Sequence, residues 1–237
     1  MRKIYQAGRS NVLAQNGIVA SSQPLSSQEA LTILKLGGNA VDAAIAASAV
    51  LAVVEPGSTG IGGDCFAIVS MNGKKPIAVN GSGISPKKYS LDFFKENNIN
   101  KINTTSPHSV TIPGSIDAWY SMHQRYGRLD FERLFLTAEN YARNGFPVHE
   151  IEANSWNKNS EKLKIYKNTK ELFLPNNKAP KFRDVFINVP LANSLKTISK
   201  KGSKAFYEGK ITRDIVDTLN SIGGLHSEED FFNQKTI

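Results

Sequence analysis

Apolar and polar positions in the first third of the chain change period several times, and each change marks an element. Gly17–Ser21 (GIVAS) reads as a short strand that stops before Pro24. Ser26 followed by Glu29 has the form of a capping box, in which each side chain answers the other's exposed backbone N–H. The helix it opens sets Ala30, Leu31 and Leu34 on one face and stops at Gly37-Gly38, a left-handed end. Asn39 caps a second helix, with Asp42 in the first turn where the dipole favours a carboxylate. Alanines at 40, 43, 44, 46, 47, 49 and 52 leave this helix so smooth that it is expected directly against a sheet. Asp64–Met71 and Pro76–Asn80 flank Asn72-Gly73, a pair that tolerates positive φ and predicts a β-hairpin. Successive apolar residues over Cys65–Val69 predict a strand covered on both faces, hence a layered α/β architecture.

Beyond Pro86 the pattern turns helical. Helices are expected over Tyr89–Asn97, from a Ser115 cap to Gly127, and from an Asp130 cap to Gly145, with Pro147 behind it. Asn98–Pro107 is a polar loop, and Asn154–Arg183, rich in Asn and Lys, reads as a surface excursion carrying one helix. Asn188-Val189-Pro190 opens a helix that ends at Gly202, and Gly209–Ile222 forms another, closed by Gly223-Gly224. Ser227 with Asp230 opens a last one. No repeat or low-complexity linker divides the chain, so residues 1–237 are expected as one domain, an incomplete sheet with a largely helical second half.

Composition narrows the function classes. The net charge of +8 would suit an acidic partner, but the basic residues are scattered and do not interleave with aromatic ones, so no nucleic-acid role is expected. One cysteine, Cys65, excludes an internal disulfide, and its apolar surroundings suggest a buried, inert thiol. The most apolar stretch, Ala40–Val54, falls short of the roughly 20 residues a bilayer span needs. Met1–Gly17 carries charge without an apolar segment. A cytoplasmic protein without membrane contact is the expectation.

The glycines at 57, 60, 62 and 63 invite comparison with a phosphate cradle, but Asp64-Cys65 stands where a P-loop needs Lys and Ser or Thr. They also follow a helix and open a strand, the reverse of a dinucleotide fingerprint. A tight turn that brings backbone against backbone is the simpler reading. His108, His123, His149 and His226 are too dispersed for a metal signature, so no metal or other cofactor is expected. Asp117 suits the first turn of its helix, His108 an ordinary polar loop, and Trp119 and Trp156 a packing role.

Five blocks in order carry a more specific signal: ASSQPLSSQEALTILKLGGNAVDAAIAASAVLAVVEP at Ala20–Pro56, GSTGIGGDCF at Gly57–Phe66, PGSIDAW at Pro113–Trp119, GSKAFYEGKI at Gly202–Ile211 and GGLHSEEDF at Gly223–Phe231. Together they resemble the N-terminal part of the gamma-glutamyltransferase (gamma-glutamyltranspeptidase) family, a branch of the N-terminal-nucleophile hydrolases. The resemblance covers nearly the whole chain and is weakest over Asn154–Arg183. It implies an αββα sandwich, here incomplete, and a precursor that cuts itself before a threonine. That threonine's hydroxyl is then the nucleophile and its freed α-amino group, with a pKa near ~8, the base. The threonine is expected after Ile237, so the chain itself supplies no catalytic residue, and its partners are a small-molecule amide substrate and the missing C-terminal small-subunit portion. Alone, it is expected to be inactive.

One departure bears on the substrate. Typical gamma-glutamyltransferases carry an Arg, in a D-x-R-E-x-A-P-like segment, that grips the glutamyl α-carboxylate; here the segment reads Asn80-Gly81-Ser82-Gly83-Ile84-Ser85-Pro86, with Ser82 in the arginine's place. Asn80 and Ser82 are therefore the candidate substrate-binding residues. A neutral hydroxyl cannot make the bidentate, charge-assisted pair that Arg makes with a carboxylate. The wording resembles the family's divergent amidohydrolase and acylase branch. Lys87 or Lys88 could supply a replacement cation or form a solvated loop. Gamma-glutamyl transfer, hydrolysis of a non-glutamyl amide, and a non-catalytic scaffold relative are the readings left open.

Overall fold

In the computed structural model, which describes residues 11–237, α1 (Pro24–Lys35) and α2 (Ala40–Val54) pack against each other across the Gly37-Gly38 turn. Gly37 has φ +93°, the left-handed stop expected there. The start of α1 differs from expectation. Pro24 suits the first helical position because its missing N–H is an orphan there anyway, and Gln23, not Ser26, is the cap. Ser26 therefore falls inside the helix, where it is buried and donates to the Ala47 carbonyl of α2 at 3.0 Å. Glu29 reaches instead to Arg133 at 3.0 Å. Asn39 caps α2 as expected, and Asp42 goes further than favouring the dipole: its carboxylate answers the Asn39 N–H and completes a capping box. Eleven of the fifteen α2 residues are buried, but the neighbours that use its small side chains are α1 and two helices further along the chain, not a sheet.

The hairpin pairs β1 (Cys65–Val69) with β2 (Ile77–Gly81) antiparallel, Ala67 opposite Val79, and Gly73 has φ +73° in its turn. Cys65, Ala67, Val69, Val79 and Gly81 share one face. Phe66 and Ile68 share the other and are 66% and 79% exposed, so the strand expected to be covered on both faces is covered on one. Gly17–Ser21 is not a strand: β1 bonds only to β2 among the described residues, and a lone strand would leave its backbone groups unpaired. The segment runs instead as an irregular stretch along α1 and α2.

After α3 (Leu91–Glu96), capped by Ser90, and a 3-10 turn at Pro107–Ser109 comes α4 (Ser115–Tyr126), which supports the hairpin. A 3-10 turn at Phe131–Phe135 leads into α5 (Leu136–Asn144), and Asp130 makes no side-chain cap, because the segment it precedes is that turn and not the helix. A two-residue sheet unforeseen in the sequence joins β3 (Phe146–Pro147) to β4 (Val185–Phe186). Between them lie α6 (Glu150–Lys158), α7 (Ser160–Leu163) and α8 (Lys167–Phe173), three short helices where one was expected. Then follow α9 (Val189–Lys201), α10 (Lys204–Tyr207), α11 (Lys210–Ser221) and α12 (Glu228–Phe232), the last opened by the Ser227–Asp230 box.

The core lies among α2, α4, α5 and α9, where Ile45, Val50, Ile116, Phe135, Leu195 and Ile198 are fully buried. Trp119 and Trp156 pack into the same apolar cluster, as expected. The fold is thus α+β with a small sheet and a largely helical second half. No helix among the described residues is long and apolar enough to cross a membrane.

Candidate functional site

Three segments far apart in sequence meet at the end of β2. The first is the glycine turn before β1. Its Gly63 carbonyl accepts from the N–H groups of Gly114 at 3.0 Å and Ser115 at 3.1 Å. The second is the head of α4. Ser115 is its first helical residue and not its cap: the hydroxyl donates to the Ile61 carbonyl at 3.0 Å. The orphan N–H groups of this helix end are met by groups from distant segments. Besides Gly63, the phenol oxygen of Tyr207 accepts from Asp117 N–H at 3.1 Å while donating to the Pro113 carbonyl at 2.8 Å. Burial pushes the Tyr207 pKa well up, which keeps its proton in place for that donation.

The third segment is the stretch Asn80–Lys87. The side-chain oxygen of Asn80 accepts from Ser82 N–H at 3.0 Å, an Asx turn that ends the strand and leaves Ser82 exposed. Gly83 has φ +80°, and a β-carbon there would stand 1.8 Å from the Ile112 carbonyl oxygen, so only glycine lets the loop lie flat on the Ile112–Gly114 backbone. Ile112 N–H donates to the Ile84 carbonyl at 2.9 Å. Both candidate substrate-binding residues therefore belong to one shallow corner, Asn80 holding its shape and Ser82 presented to solvent. Lys87 and Lys88 are exposed, and Lys87 lies 3.9 Å from Glu229, an ion pair worth little in water.

The chain's last stretch completes the corner. Asp117 does more than favour the dipole: its carboxylate accepts from Thr236 N–H at 2.7 Å. Ile237 and Asn80 exchange both backbone hydrogen bonds, at 2.7 and 3.0 Å, in the manner of an antiparallel pair on the free edge of β2. Gln234 Oε1 accepts from Ile84 N–H at 2.9 Å, and Asp230 Oδ1 from Lys87 N–H at 3.0 Å. Sequence reasoning missed Tyr207, Asp230, Gln234 and Thr236 in these roles. Their partners lie about 90 to 150 positions away; Tyr207 falls in the block GSKAFYEGKI and Asp230 in GGLHSEEDF, but neither block's wording points to these contacts, and Gln234 and Thr236 lie beyond both.

Among the described residues no group of three or more His, Cys, Asp or Glu side chains is placed to hold a metal. His108 Nδ1 lies 3.1 Å from the Tyr89 hydroxyl and packs edge-on against Tyr89, Phe93 and Phe94. His226 is buried with Nε2 2.8 Å from the Val110 carbonyl. Cys65 is half-buried, and burial raises its pKa, the opposite of what a nucleophilic thiol needs. A cleft of about 630 Å³ opens between α2 and β1, floored by Trp119 and Met122.

The gamma-glutamyltranspeptidase family profile matches residues 26–236. A glutathione hydrolase-like proenzyme of Bacillus subtilis (strain 168), YwrD, is 38% identical over 222 residues, which are 93% of this chain and 42% of that protein. The solved gamma-glutamyltranspeptidase of Helicobacter pylori superposes with a TM-score of 0.91 at 26% identity, over 96% of this chain and 66% of that one. A cephalosporin acylase from Bacillus halodurans does so with a TM-score of 0.88 at 30% identity, over 99% and 46%. The chain thus spans less than half the length of the curated relatives it matches.

Proposed function

The chain belongs to the gamma-glutamyltranspeptidase family, and from that premise we propose that it is the scaffold part of an amide-cleaving N-terminal-nucleophile enzyme. The whole enzyme passes an acyl group from an amide to water or an amine without a cofactor. A threonine beyond Ile237 acts as nucleophile, its α-amino group, with a pKa near ~8, as general base. Residues 1–237 form one domain that provides the wall against which the donor lies. Two facts support this division: the relatives are named proenzymes, and this chain spans about two fifths of them.

The observation that carries the substrate reading is Ser82. It is exposed at the corner where Asn80 and Ile237 pair, and, by the resemblance of its segment to D-x-R-E-x-A-P, it takes the place of the Arg with which typical family members hold the donor's α-carboxylate. An ionised carboxylate placed there finds no guanidinium, losing hydrogen bonds worth ~1.5–3 kcal/mol each. The donor we propose is accordingly an amide whose acyl group lacks a free α-carboxylate; the likeness to a cephalosporin acylase supports only the broader reading of an amide donor other than γ-glutamyl. Gamma-glutamyl transfer is the second reading, favoured by the glutathione hydrolase names of the relatives.

The test is a donor comparison on the full-length enzyme, using a γ-glutamyl anilide and an acyl anilide without the carboxylate. Wild type is expected to prefer the second. Ser82→Arg is expected to gain about tenfold or more in kcat/KM for the first, the worth of one charge-assisted hydrogen bond. A wild-type enzyme that already prefers the γ-glutamyl donor strongly would overturn the reading.

A further inference from the structure

The last stretch of the chain meets the substrate corner at four points, in antiparallel order. Leu225 N–H donates to the Tyr89 hydroxyl at 3.2 Å. Asp230 Oδ1 then accepts from Lys87 N–H, Gln234 Oε1 from Ile84 N–H, and Ile237 exchanges backbone bonds with Asn80. Two strands would join such segments by a backbone ladder. Here α12 occupies part of one of them, its own backbone bonds are used internally, and side-chain oxygens take the ladder's place. These two oxygens meet the Ile84 and Lys87 N–H groups, while the Ile84 carbonyl accepts from Ile112 and the preceding strand bonds to β1.

The two gripping side chains are themselves fixed. Gln234 and Asp230 are buried, at 5% and 4% exposure. Asp230 spends its second oxygen on Ser227, accepting from N–H at 3.0 Å and from the hydroxyl at 2.7 Å. The carboxylate therefore couples the start of α12 to the Lys87 end of the corner. A displacement of α12 would pull on both.

We propose that residues 225–237 are a splint that sets the position of the Ser82 loop against the donor, with Gln234 and Asp230 as its positioning residues. The proposal rests on the reading that this loop binds the donor. Neither residue touches substrate; both act through the Ile84 and Lys87 backbone. Loss of the Gln234 acceptor frees Ile84 to shift, and Ser82, two residues away, shifts with it.

The test uses the full-length enzyme carrying Gln234→Met, which keeps volume and removes the acceptor, and Gln234→Glu, which restores one. Gln234→Met is expected to raise KM for the preferred amide donor about five- to tenfold, as loss of one buried acceptor implies. The same variant should keep kcat within about twofold, the sign of lost binding and not lost chemistry. Gln234→Glu should recover most of the loss. Should Gln234→Met fail to fold, Asp230→Asn, which keeps an acceptor for only one of its two sets of donors, is read in the same way. A fall in kcat and thermal midpoint with KM unmoved would overturn the splint and leave an ordinary structural residue. Ser82→Arg is run beside it. If that variant changes donor choice while Gln234→Met leaves KM unmoved, only the splint falls; if neither changes anything, the loop is not the donor site and both readings fall.

Discussion

Gly114 lies so close to Gly81 that a β-carbon on it would stand 2.1 Å from the Gly81 carbonyl oxygen. This approach joins the head of α4 to the end of β2, and it is why the PGS wording at Pro113–Ser115 needs its glycine: the neighbour is backbone, which cannot swing aside.

Gly114→Ala is accordingly expected to destabilise the protein by about 3 kcal/mol, the upper range for forcing an extra methyl into packed structure. Gly62, in the same family of glycines, has nothing within 4 Å of its would-be β-carbon and no positive φ. Gly62→Ala is expected to stay within about 1 kcal/mol of wild type. Denaturant midpoints of the two variants, measured side by side, check the contrast.

Tyr207 caps α4 from 90 residues away, so Tyr207→Phe should cost about 1–3 kcal/mol by leaving the Pro113 carbonyl and the Asp117 N–H unpaired. Hydrogen exchange offers the more pointed readout. The Asp117 amide should exchange faster in the variant, while amides in the middle of α9 keep their protection.

Acid should loosen the splint in two steps. Burial lowers the His226 pKa, despite the help the imidazolium would get from Val110 and Asp230. A base whose folded pKa lies below its ordinary 6.5 stabilises the fold fully above that value, and the stability drains away as pH falls toward the folded pKa. Burial alone would raise the Asp230 pKa, but hydrogen bonds from Lys87 and Ser227 outweigh it and hold it below its ordinary 3.8. That contribution is present above 3.8 and is lost at still lower pH. The thermal midpoint should therefore drop on acidification below 6.5, and His226→Gln should flatten that first step while leaving the second. An unchanged slope in the variant would remove His226 from the account.

Features decided within a few residues were legible. The left-handed stop at Gly37, the Asn39 cap, the Ser227–Asp230 pair and the hairpin about Asn72-Gly73 all close over short separations. Ser26 shows where such reasoning ends. Its spacing to Glu29 satisfies the capping-box rule, yet Pro24 starts the helix earlier and the hydroxyl finds the Ala47 carbonyl, 21 residues on. The alanines of α2 correctly announced close packing but not its partner, because small side chains admit a helix as readily as a sheet. Alternation in β1 was hidden by its run of apolar residues, and only the fold revealed that Phe66 and Ile68 face outward.

The amino acids by themselves determined the family blocks, the glycine stops at Gly37, Gly145, Gly202 and Gly223, the caps Asn39, Asn188 and Ser227, and the neutral residue at position 82, since each depends on nearby positions or on wording alone. The tertiary structure alone decided that Gly63 and Tyr207 finish the head of α4 and that Gln234 and Asp230 grip the Ser82 loop. A backbone N–H accepts any well-placed oxygen as partner, and which oxygen arrives from 50 to 150 residues away is settled by packing.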